Sequence, residues 1–130
     1  MKYLCVDLGL KRVGLALSVD GNIVTPLEAI IRKNRNQAAN ELKDVIKEWS
    51  IDALVIGVPI GGSSEDEMRR RVTHFLTLVE FDKEVFYQDE SDTSLEAEEL
   101  MRGEIKYRRD GRVDSLSAMI ILKRYLGIVI

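Results

Sequence analysis

One cysteine, one histidine, one tryptophan and two prolines in 130 residues exclude several classes of protein at once. Cys5 lies inside the first apolar run, so neither an intramolecular disulfide nor a multi-cysteine zinc site can be built, and a reducing cytoplasm is the expected setting. No apolar run approaches the ~20 residues that cross a bilayer, and Asp7 interrupts the first run too early for a signal peptide. The expected protein is therefore cytoplasmic, with no membrane partner. An excess of positive charge is also missing. A net charge of −3 argues against coating nucleic acid through bulk electrostatics, while leaving a local site open.

What is present describes a globular chain. The 45% hydrophobic and 32% charged content is that of a protein with a core rather than a disordered or fibrous one. The length fits a single domain over residues 1–130, burying roughly two thirds of the surface its unfolded form exposes. Basic residues fall in three clusters: Lys11-Arg12, Arg69-Arg70-Arg71, and Lys106, Arg108, Arg109 and Arg112. Each alone reads as a solvated face.

Apolar periodicity predicts strands at Tyr3 to Val6, Val13 to Leu17 and Ile23 to Ile31, an antiparallel meander joined by a glycine-bearing turn and by Asp20-Gly21-Asn22. Ala38, Leu42, Val45, Ile46 and Trp49 then repeat at helical spacing. Ala53 to Pro59 is short and continuously apolar, which suits a strand covered on both faces. Ser64 with Glu67 reads as a capping box opening a helix striped by Met68, Val72, Phe75, Leu76 and Val79. Val85 to Tyr87 is a fifth short strand. Thr93 with Glu96 repeats the capping pattern before Leu95 to Met101, and Val113, Leu116, Ile120 and Ile121 mark a last helix ending near Gly127. No internal repeat or low-complexity linker interrupts this order. The fold class is α/β: a five-stranded mixed sheet, three antiparallel strands then parallel ones, flanked by helices on both faces.

Four acids stand at informative points. Asp7 ends the first strand, Asp89 and Glu90 follow the fifth, and Asp114 lies in the first turn of the last helix. Any one of them has a plain role at a strand end or complementing a helix dipole. Together they place hard oxygen ligands on three separate segments, the donor set that Mg²⁺ or Mn²⁺ takes, and a divalent ion removes the repulsion among clustered carboxylates.

The stretches "VDLGLKRVGLALS", "VIGVPIGGSSE", "DESDTSLEAEELM" and "GRVDSLSAMIILKRYL" occur in this order across nearly the whole chain, and in this the sequence resembles the YqgF family, also called RuvX or Holliday-junction-resolvase-like. The resemblance implies an RNase H-like fold and a metal-dependent endonuclease maturing the 5′ end of pre-16S rRNA. It also implies catalytic and metal-binding roles for Asp7, Glu90 and Asp114, with Asp89 as a fourth ligand and Mg²⁺ or Mn²⁺ as cofactor. In a two-metal arrangement, with ions about 3.5 to 4 Å apart, Asp7 would lie between them. Gly9 and Gly14 would let the hairpin turn tightly and a sugar-phosphate chain approach, within reach of Lys11 and Arg12. Two departures stand out. The family commonly has Asp-Glu-Arg where this chain has Asp89-Glu90-Ser91, removing a cation from the site, and Gly-Lys where it has Gly111-Arg112, a change the planar guanidinium fork should tolerate in binding phosphate.

The remaining features have simpler readings. Ser117 and Ala118 are small enough for close helix packing, and His74 reads as a solvated helix position rather than a proton carrier. Gly57, Pro59, Gly61 and Gly62 read as a turn after the fourth strand. The rival functions are a Holliday junction or branched-DNA resolvase, a non-catalytic RNA-binding or transcription-associated factor, and an ATP-binding domain. The last follows from the first hairpin's likeness to the phosphate-binding motif of actin and sugar kinases, whose two closing lobes 130 residues cannot supply. Precursor rRNA or branched DNA is the expected partner, and the chain is expected to be a monomer or a weak homodimer through its apolar tail, Ile128-Val129-Ile130.

Overall fold

A computed structural model describes residues 1–101 and 111–129. Five strands and four helices follow in chain order: β1 (Tyr3–Leu8), β2 (Arg12–Ser18), β3 (Thr25–Ile31), α1 (Arg35–Trp49), β4 (Ala53–Val58), α2 (Glu65–Val79), β5 (Glu84–Asp89), α3 (Thr93–Met101) and α4 (Gly111–Leu126). They build one sheet in the order β3-β2-β1-β4-β5. β2 lies antiparallel to β1 and to β3, while β1, β4 and β5 run parallel, so the expected mixed sheet is present. Among the described residues no helix is long and apolar enough to cross a membrane.

Strand alternation divides the molecule. Leu4, Val6 and Leu8 of β1, Val13, Leu15 and Leu17 of β2, and Leu54, Ile56 and Val58 of β4 all point to one face, where Ala38, Ala39 and Leu42 of α1 and Val72, Phe75 and Val79 of α2 cover them. The intervening residues Cys5, Ala16 and Val55 face Ala118, Ile121 and Leu122 of α4. On its far side α4 packs Val113 and Ile120 against Ala97 of α3. A helix covered on two sides needs apolar residues nearly all round, which is why α4 has no polar stripe.

Several boundaries differ from the sequence expectations. β1 runs on through Asp7, which is paired with Gly14 inside the ladder rather than ending the strand, and β3 begins at Thr25, leaving Ile23 69% exposed. Backbone pairing with a neighbour carries β1 past the polar residue that its apolar pattern suggested as a stop. Gly57 belongs to β4 and not to the turn after it. Ser64 occupies the N-cap of α2 but its side chain caps nothing; Glu65 accepts from the Gly61 N–H instead. Thr93 Oγ1 donates to the Glu90 carbonyl and Glu96 reaches Arg124, so that pair forms no capping box either. The capping box that does form is Asn34 with Gln37 at the start of α1. Ile128 packs against the α4 face and Val129 is 91% exposed, while Ile130 lies outside the described residues.

Candidate active site

Asp7 stands on the α4 face of the central strand, with a glycine on each side. Gly14 is its partner on β2, and Gly57 on β4 comes next in the parallel register after Val6–Ile56. Both glycines are seats. A Cβ on Gly14 would collide with the Asp114 backbone carbonyl and stand 3.1 Å from the Asp114 Cβ. A Cβ on Gly57 would stand 2.7 Å from Ile121 Cδ1, 3.0 Å from Glu90 Oε2 and 3.2 Å from Glu90 Cβ. The β2–β3 register also shifts between Val13 and Leu15, where α4 bears on the sheet. Gly14 therefore admits a helix rather than a sugar-phosphate chain, which corrects the expectation for that residue.

The sheet thus delivers Asp7, α4 delivers Asp114 onto the strand at its side, and the segment after β5 delivers Glu90 onto the strand at its other side. Glu90 continues the pairing beyond β5 through its N–H to the Val58 carbonyl, 3.0 Å, and this turns it towards Gly57. Its carboxyl hydrogen-bonds with Asp7. Burial raises the Glu90 carboxyl above its ordinary value; the bond with Asp7 opposes the rise and the charge of Asp89 adds to it. Below the pair, burial first, and then the negative charge of Asp7 and Glu90, push the Cys5 thiol well up, so it stays protonated.

Asp114 is engaged with Arg12, whose Nε donates to Oδ2 at 2.7 Å; both side chains are mostly buried. Arg12 therefore neutralises an acid within the site, beyond the substrate contact expected of it. Lys11 is exposed in the β1–β2 turn, which is closed by the Gly9 N–H to the Arg12 carbonyl at 3.0 Å. Asp89, the last residue of β5, uses Oδ1 for the Ser91 hydroxyl (2.7 Å) and for the N–H groups of Ser91 and Ile60, tying the loops after β5 and β4 together. The Arg112 side chain and the cluster Lys106, Arg108 and Arg109 lie outside the described residues.

Two residues escaped the sequence reading, Arg124 and Arg32, and a third, Ser117, reads there only as a small packing residue. Arg124 of α4 donates to the Ser91 carbonyl at 2.9 Å and to the Asp89 carbonyl at 3.3 Å, placing a guanidinium beside the loop whose own arginine is replaced by Ser91. Arg32 donates to the Gly9 carbonyl at 2.6 Å. Ser117 is buried and, among the described residues, its hydroxyl oxygen has no hydrogen-bond partner. On α4 it is bracketed by Asp114 and Ile121, which rest on Gly14 and Gly57, so it crosses the sheet where Asp7 stands. No sequence signal separates these three from ordinary surface cations or packing serines.

Among the described residues no three acid, histidine or cysteine side chains stand ready as a cation cage. The donor chemistry nevertheless fits a hard cation. Two carboxyl groups press together in a partly buried place, a third is balanced by a guanidinium, and a buried hydroxyl has no partner among the described residues.

A five-stranded mixed sheet, with acids placed around its central strand and its last helix laid over them, is the arrangement this chain shares with other proteins. The fold is similar to that of T. thermophilus RuvC in complex with Holliday junction substrate (TM-score 0.55, 16% identity, 98% of this chain and 96% of that one). It is also similar to the fowlpox virus Holliday junction resolvase (TM-score 0.57, 14% identity, 98% and 99%), which identifies it as RNase H-like. Residues 1–127 match the family described as RuvX, Holliday junction resolvase, and the chain belongs to that family. A protein of Sulfurimonas denitrificans, 66% identical over 126 residues and 97% of each chain, bears the name "Putative pre-16S rRNA nuclease". So does one of Campylobacter lari, 59% identical over 128 residues, 98% of this chain and 99% of that one.

Proposed function

We propose that the protein is a metal-dependent endonuclease of the cytoplasm that matures the 5′ end of pre-16S rRNA. One observation carries this reading: Asp7 lies between two glycines, and the bare backbone of those glycines is where Asp114 and Glu90 come to rest. Arg12 balances Asp114 and one hydrogen bond joins Glu90 to Asp7, yet burying the Glu90 carboxyl beside a second carboxyl still works against its charged form. A cation drawn to this pair, with Asp114 on the neighbouring strand's side, would relieve that cost.

Asp7, Glu90 and Asp114 would hold Mg²⁺ or Mn²⁺; Asp89, the expected fourth ligand, is paired with Val58 on the other face of the sheet and ties the two loops together instead. Bound there, the ion would supply positive charge for activating a water and for stabilising the departing oxygen of a phosphodiester. The chain's own residues set the stage. Gly14 and Gly57 fix the spacing of the acids, Arg12 orients the Asp114 carboxylate, and Arg124 steadies the loop that carries Glu90. Gly9, Lys11, Arg12 and Arg112 border the substrate's sugar-phosphate chain. The name borne by the relatives favours precursor rRNA over branched DNA, although the family's description and the solved resolvases keep a four-way junction as the second substrate to test.

Wild-type protein incubated with Mn²⁺ or Mg²⁺ should cut a pre-16S rRNA fragment. Asp7→Asn, Glu90→Gln and Asp114→Asn should each lower the rate more than about a hundredfold while circular dichroism keeps the folded signature. Undiminished cleavage by all three variants would overturn the reading. Cleavage of a four-way junction but not of the RNA would replace the substrate.

A further inference from the structure

Opposite the acids, the other face of the sheet carries an unusual concentration of positive charge. A cleft of about 340 Å³ beside the end of β1 is lined by Arg32, Arg35, Arg70, Arg71 and His74. Among the described residues, none of these four guanidinium groups is paired with a carboxylate. Arg69, their neighbour in sequence, behaves differently: it is bound to Glu65 at 2.8 Å and lies over the Tyr87 ring. The Arg69-Arg70-Arg71 run is therefore split by helical geometry, one member serving the helix and two facing the cleft.

The cleft is built rather than incidental. Arg32 is held from two sides, by the Gly9 carbonyl at 2.6 Å and by the Phe75 ring with its centroid 5.6 Å away. Arg35 and the exposed His74 meet at 3.2 Å between Nη1 and Nε2. Arg70 with His74, and Arg71 with Phe75, share α2 faces one turn apart. Burial first, and then the charges of Arg71 and Arg35, pull the Arg32 guanidinium below its ordinary value. Such a cluster costs stability and is relieved by an anion. Four guanidinium forks suit phosphate oxygens.

We propose that this cleft holds the phosphodiester backbone of a single-stranded segment of the substrate flanking the cut, an inference that rests on the nuclease reading above. The acids and the cleft share β1. Asp7 looks to one face, Leu8 looks to the other and lines the cleft, and between them runs only the exposed turn Gly9 to Lys11, with Leu10 76% exposed at its crest. A strand leaving the acids reaches the arginines by bending over that turn. Duplex, with a persistence length of about 150 base pairs, does not fold from one sheet face to the other, whereas a single strand does.

The test is fluorescence anisotropy of the full chain with a short labelled single-stranded RNA and a duplex of equal length. It is performed on the Asp7→Asn background without divalent ions, across about 50 to 200 mM salt. Arg35 and Arg70 are exposed, so Arg35→Gln and Arg70→Gln leave the core alone. The pair together should weaken single-strand binding roughly tenfold. The slope of log K against log salt should become shallower by about 0.7 for each phosphate no longer neutralised. Duplex binding should fall less. Lys47→Gln, on the exposed far end of α1, should move neither quantity. Wild-type affinity and slope in the double arginine variant, or equal losses for duplex, overturns the proposal, as does an acidic peptide that displaces the RNA at matched charge. If the arginine variants bind normally while wild type cuts RNA, the cleft proposal fails and the nuclease stands. If they bind weakly and wild type cuts nothing, the nuclease fails and the cleft remains a phosphate site.

Discussion

The two faces of the sheet are made from alternate residues of the same strands, yet they are built to different rules. Towards α1 and α2, β1, β2 and β4 offer an unbroken set of leucine, isoleucine and valine, and two amphipathic helices lie across it. Towards α4 the middle of the same strands offers Cys5, Asp7, Gly14, Ala16, Val55 and Gly57, small side chains and one acid, with the larger Tyr3 and Arg12 at the strand ends. Large aliphatic residues keep elements apart while burying area; glycine and alanine let a helix approach until backbone meets backbone. The first face contributes stability, and the second trades it for closeness of charged groups.

Four experiments sharpen or break that contrast. The largest effect on folding is expected on the aliphatic face, where Leu54→Ala removes a fully buried side chain and should cost about 2 to 5 kcal/mol in denaturant unfolding. Asp7→Asn, on the same sheet but the other face, should leave the midpoint nearly unmoved while cleavage is abolished. Equal stability losses in the two variants would erase the distinction.

Next in size is Gly14→Ala. The added methyl meets the rigid Asp114 carbonyl, so stability should fall by about 1 to 3 kcal/mol, and cleavage should fail as α4 is lifted. Gly57→Ala meets side-chain atoms rather than backbone, the ends of Ile121 and Glu90 and the Glu90 Cβ, which can give way more readily; it should fold better than Gly14→Ala and still cut poorly. A Gly14→Ala protein as stable as wild type would show that the helix is not seated as described.

Asn34→Ala deletes the capping box of α1, far from the acids, and should cost about 1 kcal/mol with cleavage unchanged. Smallest is a pH effect at the opposite end of the sheet. There Asp52 accepts the Lys2 N–H at 2.8 Å, and chiefly this bond, aided by Lys83, holds its carboxyl below the ordinary value. The folded chain then binds fewer protons than the unfolded one in that window. The contribution is complete above the ordinary aspartate pKa of about 3.9 and is lost as pH falls through the lowered value. Wild type and Asp52→Asn should therefore differ at neutral pH and converge in acid; a constant offset would discount the bond.

Much of this was legible in the residues. The order of elements, the meander followed by parallel strands and the helices on both faces follow from apolar periods of 2 and 3.6, and those periods depend only on neighbours along the chain. The acids Asp7, Glu90 and Asp114 were also visible, although each alone has a plain role, because their combination on three segments and the family resemblance singled them out. Capping was read less well: Ser64 and Glu67 have the right spacing and form no box, whereas Asn34 and Gln37 do, since a side chain chooses among all nearby donors and not only the helix's own.

Tertiary structure alone decided what each acid touches. That Gly14 seats a helix, that Glu90 meets Asp7, that Arg12 is bound to Asp114 and that Arg32 joins Arg70 and Arg71 are meetings of residues far apart along the chain. Local pattern determines which face of an element is apolar. Which elements then approach, and how closely, depends on the volume of side chains in segments the chain brings together only when it folds.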